Sequence, residues 1–211
     1  HSTSRRQRQM CIRDRNTVMI KIKRLIDLFG SSIGLILISP ILIISILGIE
    51  IFMPGPVFFK QVRAGYKGKP FNILKLRTMK IDTIAEENHD FSKDAERLTF
   101  FGEILRRTKV DELPQLLNVF MGDMSLVGPR PTVIEQATKY DTFQRKRLDV
   151  VPGMTGLAQV NGNITLSWED RIKYDVFYVE NWSLMLDMKI LFKTVAIVVL
   201  GENKFTRKLS E

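Results

Sequence analysis

The chain has one cysteine, Cys11, and two histidines, His1 and His89, among its 211 residues. A lone thiol excludes an intramolecular disulfide, and so few soft ligands exclude a zinc site of the Cys/His type. Any metal must rest on oxygen ligands, which makes Mg²⁺ the default. The sequence also has no Walker-type glycine loop, no dinucleotide fingerprint and no internal repeat. Acidic residues are outnumbered, 23 Asp and Glu against 32 Lys and Arg, for a formal net charge of +9. That sign favours an anionic partner: phosphate, nucleic acid or lipid headgroup. The length suits one compact domain and is too short for two large ones.

Charge is missing altogether from Leu28 to Ile49, a run dense in isoleucine and leucine. About twenty apolar residues are what a straight helix needs to span a hydrocarbon core, and no small-residue cleavage site follows to make this a signal peptide. Ser39-Pro40 falls near its middle, where the proline ring removes a backbone donor and a bend is expected. Lys21, Lys23 and Arg24 precede the run, and Lys60, Arg63, Lys67, Lys69, Lys75 and Arg77 follow it. Basic residues stay cytoplasmic, so cations at both ends conflict with a single crossing. A helix that enters, breaks at Ser39-Pro40 and returns to the same face satisfies both ends; a kinked crossing and a buried core helix are the weaker readings. Asp27 and Glu50 are then expected near the interface, within reach of water. Before the run, His1 to Arg15 is basic without apolar periodicity and reads as a non-native or disordered leader, with Met19 a plausible native beginning.

Met53-Pro54-Gly55-Pro56 is a turn signal. Val57 to Phe59 and Phe71 to Arg77 read as short strands around a glycine-containing loop, Ala64 to Lys69. Asp82 to Glu96 is polar, a surface loop or loosely held helix. Leu98 to Arg107 has an apolar face of Phe101, Ile104 and Leu105. A further helix is expected from Asp111 to Gly122, with Pro114 in its first turn and Leu113, Leu116, Leu117 and Phe120 buried. Pro129 and Pro131 enforce an extended segment around Arg130. Thr132 to Leu148 is helical in pattern, Gly153 to Gly162 is loop-rich, and Trp168 to Leu200 holds one or two amphipathic helices.

Chemistry is concentrated in Asp111-Glu112. An ionised aspartate at a helix start can attack phosphorus, and a neighbouring glutamate can help hold Mg²⁺. On spacing alone, the pair is more simply an N-terminal cap. Lys75, Arg77, Arg106, Arg107, Lys109 and Arg130 are candidate phosphate ligands, Arg130 the best placed because prolines fix its backbone and Gly128 permits close approach. Trp168, Phe177, Tyr178 and Trp182 read as core or interface aromatics rather than base-stacking groups. Asp187, inside the apolar stretch Leu184 to Leu191, is either a helix-surface charge, the favoured reading, or a buried polar contact.

Six motifs in order resemble one family, the monotopic phosphoglycosyl transferases or bacterial sugar transferases. They are Lys23-Arg24-Leu25-Ile26-Asp27; Ser39-Pro40; Lys75 to Met79; Val110-Asp111-Glu112-Leu113-Pro114-Gln115-Leu116; Met121 to Pro131; and Pro152 to Gly162. The resemblance covers Ile20 to Leu200. It implies an α+β, mostly helical fold: a re-entrant membrane helix-break-helix (19–53) on a small cytoplasmic catalytic domain (54–201) with short strands and amphipathic interfacial helices, then a tail (202–211). It implies transfer of a sugar-1-phosphate from a UDP-sugar to undecaprenyl phosphate, releasing UMP, at the cytoplasmic face of a bacterial inner membrane. Asp111 would be the nucleophile, and Asp111 and Glu112 the Mg²⁺ ligands. Lys75, Arg77, Arg106, Arg130, Gln159 and Asn161 would bind substrate. Membrane lipid is an expected partner, nucleic acid is not, and a homodimer is allowed. Val151 stands where many members carry an arginine. The rival reading is a membrane-anchored basic binding module without catalysis, motivated by the net charge.

Overall fold

The computed structural model describes residues 2–80 and 97–200, and the side chains of 18–80, 97–163 and 165–200. The long helix α1, Ser2–Phe52, reaches back into the stretch read as a leader. Its segment Val18–Phe52 is long and apolar enough to cross a membrane by length and composition. Helical backbone continues across Pro40. Proline cannot supply the amide that would bond the Ile36 carbonyl, and the Ser39 hydroxyl donates to that carbonyl instead, at 2.8 Å. The Ser-Pro dipeptide thus removes one backbone donor and replaces it in place.

Beyond α1, β1 (Phe58–Ala64) and β2 (Pro70–Leu76) pair antiparallel, Phe58 opposite Leu76 and Ala64 opposite Pro70. The expected first strand is extended through Ala64, because Lys60-Gln61-Val62-Arg63 alternates on a ribbon exposed along one face. Residues 82–96 lie outside the described residues. Helix α2, Phe100–Arg107, is capped by Thr99, whose hydroxyl accepts from the Gly102 amide. Leu105 is buried as expected and Phe101 packs against Gly48, but Ile104 is exposed.

The single helix expected over Asp111 to Gly122 divides in two. Val110–Glu112 form a tight 3₁₀ turn, Pro114 takes the cap position, and α3 runs Gln115–Met121 to a left-handed Gly122. Its buried face also differs: Leu117 and Phe120 are exposed while Gln115 and Asn118 are buried. Asn118 accounts for part of this, because its carboxamide accepts from the Leu74 amide at 2.9 Å and donates to the Asn72 carbonyl at 2.8 Å. It pairs with the open edge of β2 as a neighbouring strand would.

A short parallel pair follows, β3 (Ser125–Val127) with β4 (Gly153–Thr155). Between them the expected helix over 132–148 is broken into α4, Ile134–Thr138, and α5, Thr142–Arg145, because Asp141 starts a new helix through a capping box with Gln144. The loop-rich stretch contains α6, Leu157–Val160. The C-terminal segment forms two helices, α7 (Trp168–Glu180) and α8 (Leu184–Leu200). The architecture is mostly helical with two small sheets.

Both halves of α1 rest on this body. Lys23 donates to the Val127 carbonyl, the Tyr178 hydroxyl and Asp187. Arg24 donates to the Val119 and Phe120 carbonyls at the end of α3, each at 2.6 Å, supplying partners that a helix terminus lacks. Asp27 is buried rather than water-facing, because its carboxylate accepts from the Ser125 hydroxyl and the Leu126 amide. At the other end Ile49 and Met53 join Leu76 and Leu105 in one apolar cluster. Between the two docked ends, Ile36, Leu37, Ile43 and Ile44 are exposed.

Candidate active site

Asp111 and Glu112 sit where α2 hands over to α3. Lys109 reverses the chain in the left-handed region at φ 57°, and the following 3₁₀ turn presents both carboxylates toward β2. Lys75 on β2 donates to Glu112 Oε1 at 2.8 Å. Arg130, on the proline-framed segment after β3, reaches the same carboxylate through both terminal nitrogens, closest at 2.5 Å. Burial alone would push Glu112 up, but Arg130 and then Lys75 outweigh it and hold the carboxyl down at about 2. The two cations thus favour the ionised carboxylate of Glu112 at neutral pH.

Asp111 is in the opposite condition. It is buried and carries no salt bridge among the described residues. Burial and then the adjacent Glu112 charge push its carboxyl up from the ordinary value, opposed by Lys75 and Arg106. Arg106 is held by its Nε donating to the Thr78 hydroxyl at 3.0 Å. The result is an ionisable carboxylate poorly stabilised by partners, between cations that also suit phosphate oxygens. No third His, Cys, Asp or Glu joins the pair among the described residues. Two carboxylates completed by phosphate oxygens and water suit Mg²⁺, so the residues present fit that ion in the company of a phosphorylated ligand.

Lys75, Arg106 and Arg130 are thus brought to the acidic pair, and Arg77 is not. The buried Arg77 guanidinium donates to the Met53 and Pro54 carbonyls, where it closes the end of α1. Gln159 lies on a cavity of about 160 Å³ beside Arg130. Asn161 is engaged elsewhere, donating to the Leu157 carbonyl and accepting from Lys193 at 2.7 Å. Asp187, favoured from sequence as a surface charge, is buried: it receives Lys23, the Tyr178 hydroxyl at 2.7 Å and the Trp182 indole at 3.0 Å. Tyr178 and Trp182 are core groups accordingly, and Phe177 faces outward.

Sequence reasoning missed Arg147 and Asp175. Arg147 is buried, pairs with Asp175 at 2.6 Å, and donates to the Tyr140 hydroxyl and to the Arg130 carbonyl at 2.8 Å. It therefore holds the backbone of the arginine that meets Glu112. Burial pushes Asp175 up to about 6 against the pull of Arg147. In a chain with 32 cations, nothing in the sequence separates this arginine from the solvated ones.

The glycines set the distance between the two strands of this site. A Cβ on Gly128 would fall 2.6 Å from the Val151 carbonyl oxygen and 2.8 Å from the Gly153 amide. Only bare backbone lets the segment carrying Arg130 lie against β4.

These features bring two carboxylates and three cations together beside a long apolar helix. The family model described as bacterial sugar transferase matches residues 18–201. The chain is 45% identical over 181 residues to a Bacillus subtilis protein named as the uncharacterised sugar transferase EpsL, covering 86% of this chain and 89% of that one. It is 42% identical to the UDP-glucose:undecaprenyl-phosphate glucose-1-phosphate transferase of Klebsiella pneumoniae, over 85% of this chain but 40% of that protein's length. It is 37% identical to the exopolysaccharide production protein ExoY of Rhizobium meliloti, over 87% of this chain and 88% of that one. The chain belongs to the bacterial sugar transferase family.

Proposed function

We propose that the protein transfers a sugar-1-phosphate from a UDP-sugar to undecaprenyl phosphate through a covalent intermediate on Asp111, starting a surface glycoconjugate. A buried carboxylate with no ion pair among the described residues, set beside a glutamate clamped by Lys75 and Arg130, is the observation that carries this reading. Named relatives that act on UDP-glucose and undecaprenyl phosphate support the substrate classes.

In the first step an Asp111 carboxylate oxygen attacks the β-phosphorus of the donor. The bond from that phosphorus to the oxygen bridging it to the α-phosphate breaks, and UMP leaves with the electron pair. In the second, a phosphate oxygen of the lipid acceptor attacks the same phosphorus and Asp111 departs as carboxylate. Arg106, Lys75 and Arg130 stabilise charge on the transferring group, and Arg130 exchanges part of its contact with Glu112 for phosphate. Asp111 and Glu112 would hold Mg²⁺, which when bound supplies neutralisation of the leaving pyrophosphate oxygens.

The reading includes a re-entrant α1 at the cytoplasmic face of the inner membrane. Its support is that one body holds both Lys23 and Met53 while Ile36, Leu37 and Ile44 between them are exposed. A crossing helix would send its two ends to opposite aqueous sides. Met185, Met188, Phe192, Val195 and Val199 form an exposed apolar stripe along α8, which suits an interfacial helix.

The test is release of UMP from a UDP-sugar in detergent without acceptor. One UMP per site, Mg²⁺-dependent, with label from the sugar-phosphate retained on the protein, is expected. Full turnover by Asp111→Asn would remove the covalent step, and salt-dependent anion binding with no UMP at all would favour the non-catalytic module.

A further inference from the structure

The Arg130 guanidinium that meets Glu112 is exposed and ends a long, flexible side chain, so where it reaches depends on where its backbone stands. That backbone is held from behind at three points. The Gly153 amide donates to the Pro129 carbonyl at 2.9 Å, and the Ala64 amide to the Thr132 carbonyl at 2.8 Å. Between them the Arg130 carbonyl accepts from a side chain, Arg147, at 2.8 Å. The two outer ties are main chain to main chain. The middle one, at the residue that meets the acidic pair, depends on the identity of a single side chain.

Arg147 is fixed far more firmly than one carbonyl requires. It lies buried on the turn Lys146–Asp149, and its guanidinium carbon stands 5.7 Å from the Tyr140 ring centre and 5.5 Å from that of Trp168. Asp175 on α7 takes its charge at 2.6 Å. Its Nη1 donates to the Tyr140 hydroxyl at 2.7 Å, and that hydroxyl donates onward to Thr132 Oγ1 at 2.8 Å. Arg147 thus reaches the residues on both sides of Pro131, Arg130 directly and Thr132 through Tyr140. A buried ion pair is a poor source of stability, since apolar side chains of the same volume often do as well or better. It is a good source of direction: a planar guanidinium commits each N–H to one bearing, which a lysine ammonium on its flexible stem does not.

We propose that Arg147, held by Asp175, is the positioning residue for Arg130: it fixes the backbone point from which that guanidinium meets charge on the transferring phosphate, and it acts on the reaction through Arg130 alone. The assignment rests on the proposed transfer reaction for what Arg130 does, and not for where Arg147 holds it. With the full chain in detergent, single-turnover UMP release at saturating UDP-sugar should fall about 10- to 100-fold in Arg147→Lys, the scale of a small misplacement, with the donor concentration for half-maximal rate unchanged. Arg130→Met should fall at least as far. The double variant should be no slower than Arg130→Met, because a residue that works through Arg130 then has nothing left to place. Deuterium uptake over 128–133 should rise in Arg147→Lys while uptake over α2 and α3 stays at the wild-type level. Should Arg147→Lys melt below the assay temperature, Tyr140→Phe, which deletes only the hydroxyl joining Arg147 to Thr132, carries the same cycle with a smaller loss. Full-rate release by the variant, a loss confined to half-saturation, losses that multiply in the double variant, or wild-type uptake over 128–133 would each overturn the role. No UMP from the wild-type protein, with the local rise in uptake still present, would sink the transfer reading and leave the hold of Arg147 on Arg130 standing.

Discussion

Lys23 Nζ lies 2.6 Å from Asp187 Oδ2, joining the start of the membrane-type helix to the last described helix across 164 residues of chain. Asp187 is buried and Lys23 mostly so, and Tyr178 and Trp182 donate to the same carboxylate. Removing one partner strands a charge in a place of low dielectric. Lys23→Met alone is expected to cost roughly 3 kcal/mol, and the Lys23→Met, Asp187→Leu pair less than the sum of the two single changes. Thermal melts of the four proteins in detergent measure the coupling; additive losses would mean the contact contributes nothing.

Cysteines placed at positions 21 and 60 in a Cys11→Ser background should both react with an impermeant maleimide from the cytoplasmic side only. Both ends of the apolar run are held by one body, so labelling from opposite sides would refute the hairpin.

Asp111 must be ionised to attack, and burial and Glu112 raise its pKa. Release of UMP should therefore fall on acidification at a midpoint above the ordinary aspartate range. Arg106 is one of the charges opposing that rise, so Arg106→Gln should move the midpoint further up, whatever it does to the maximal rate. A midpoint unmoved in this variant would show that Asp111 is not the titrating group.

Glu112 titrates in the opposite direction. Its folded value of about 2 lies below the ordinary 4.5, so its contribution is fully present above pH 4.5 and is lost as pH falls toward 2. The difference corresponds to roughly 3 kcal/mol. Denaturant midpoints of Glu112→Gln should be flatter than wild type across that window, while the two curves stay parallel above it.

Gly128→Ala should slow UMP release about 100-fold, because the added Cβ meets Val151 and Gly153 backbone that cannot rotate away, and the shift is passed to Arg130. Unchanged single-turnover rates would show that the β3–β4 approach does not set the position of Arg130.

That Arg130 and the Asp111-Glu112 pair deserved notice was legible from residues alone, because the conformational limits of the flanking prolines and the charges are local properties; that they meet is a finding of the structure. Strand β2 and the start of β1 were readable for the same reason, as was helix over the C-terminal segment, though not its division in two. Of the two readings of Asp187 the less favoured one holds, because a carboxylate in an apolar stretch looks solvated until a lysine from the other end of the chain arrives. Arg77 was misread in the reverse sense: next to Lys75 in a motif, it points to the end of α1 and not to the acidic pair. Asn118 was passed over since its partners lie on a strand edge 44 and 46 residues away.

The order of apolar and charged runs, the turn residues and the motif spacing determined the helix-rich class, the membrane-type helix and the family, because each depends on neighbours along the chain. Only the tertiary structure decided which of many cations meet the acidic pair. Lys75 and Arg130 meet Glu112, Arg147 serves behind them, and Arg63 is left facing a cavity. Charge on a basic chain is interchangeable in sequence and becomes specific only when packing fixes distance and burial.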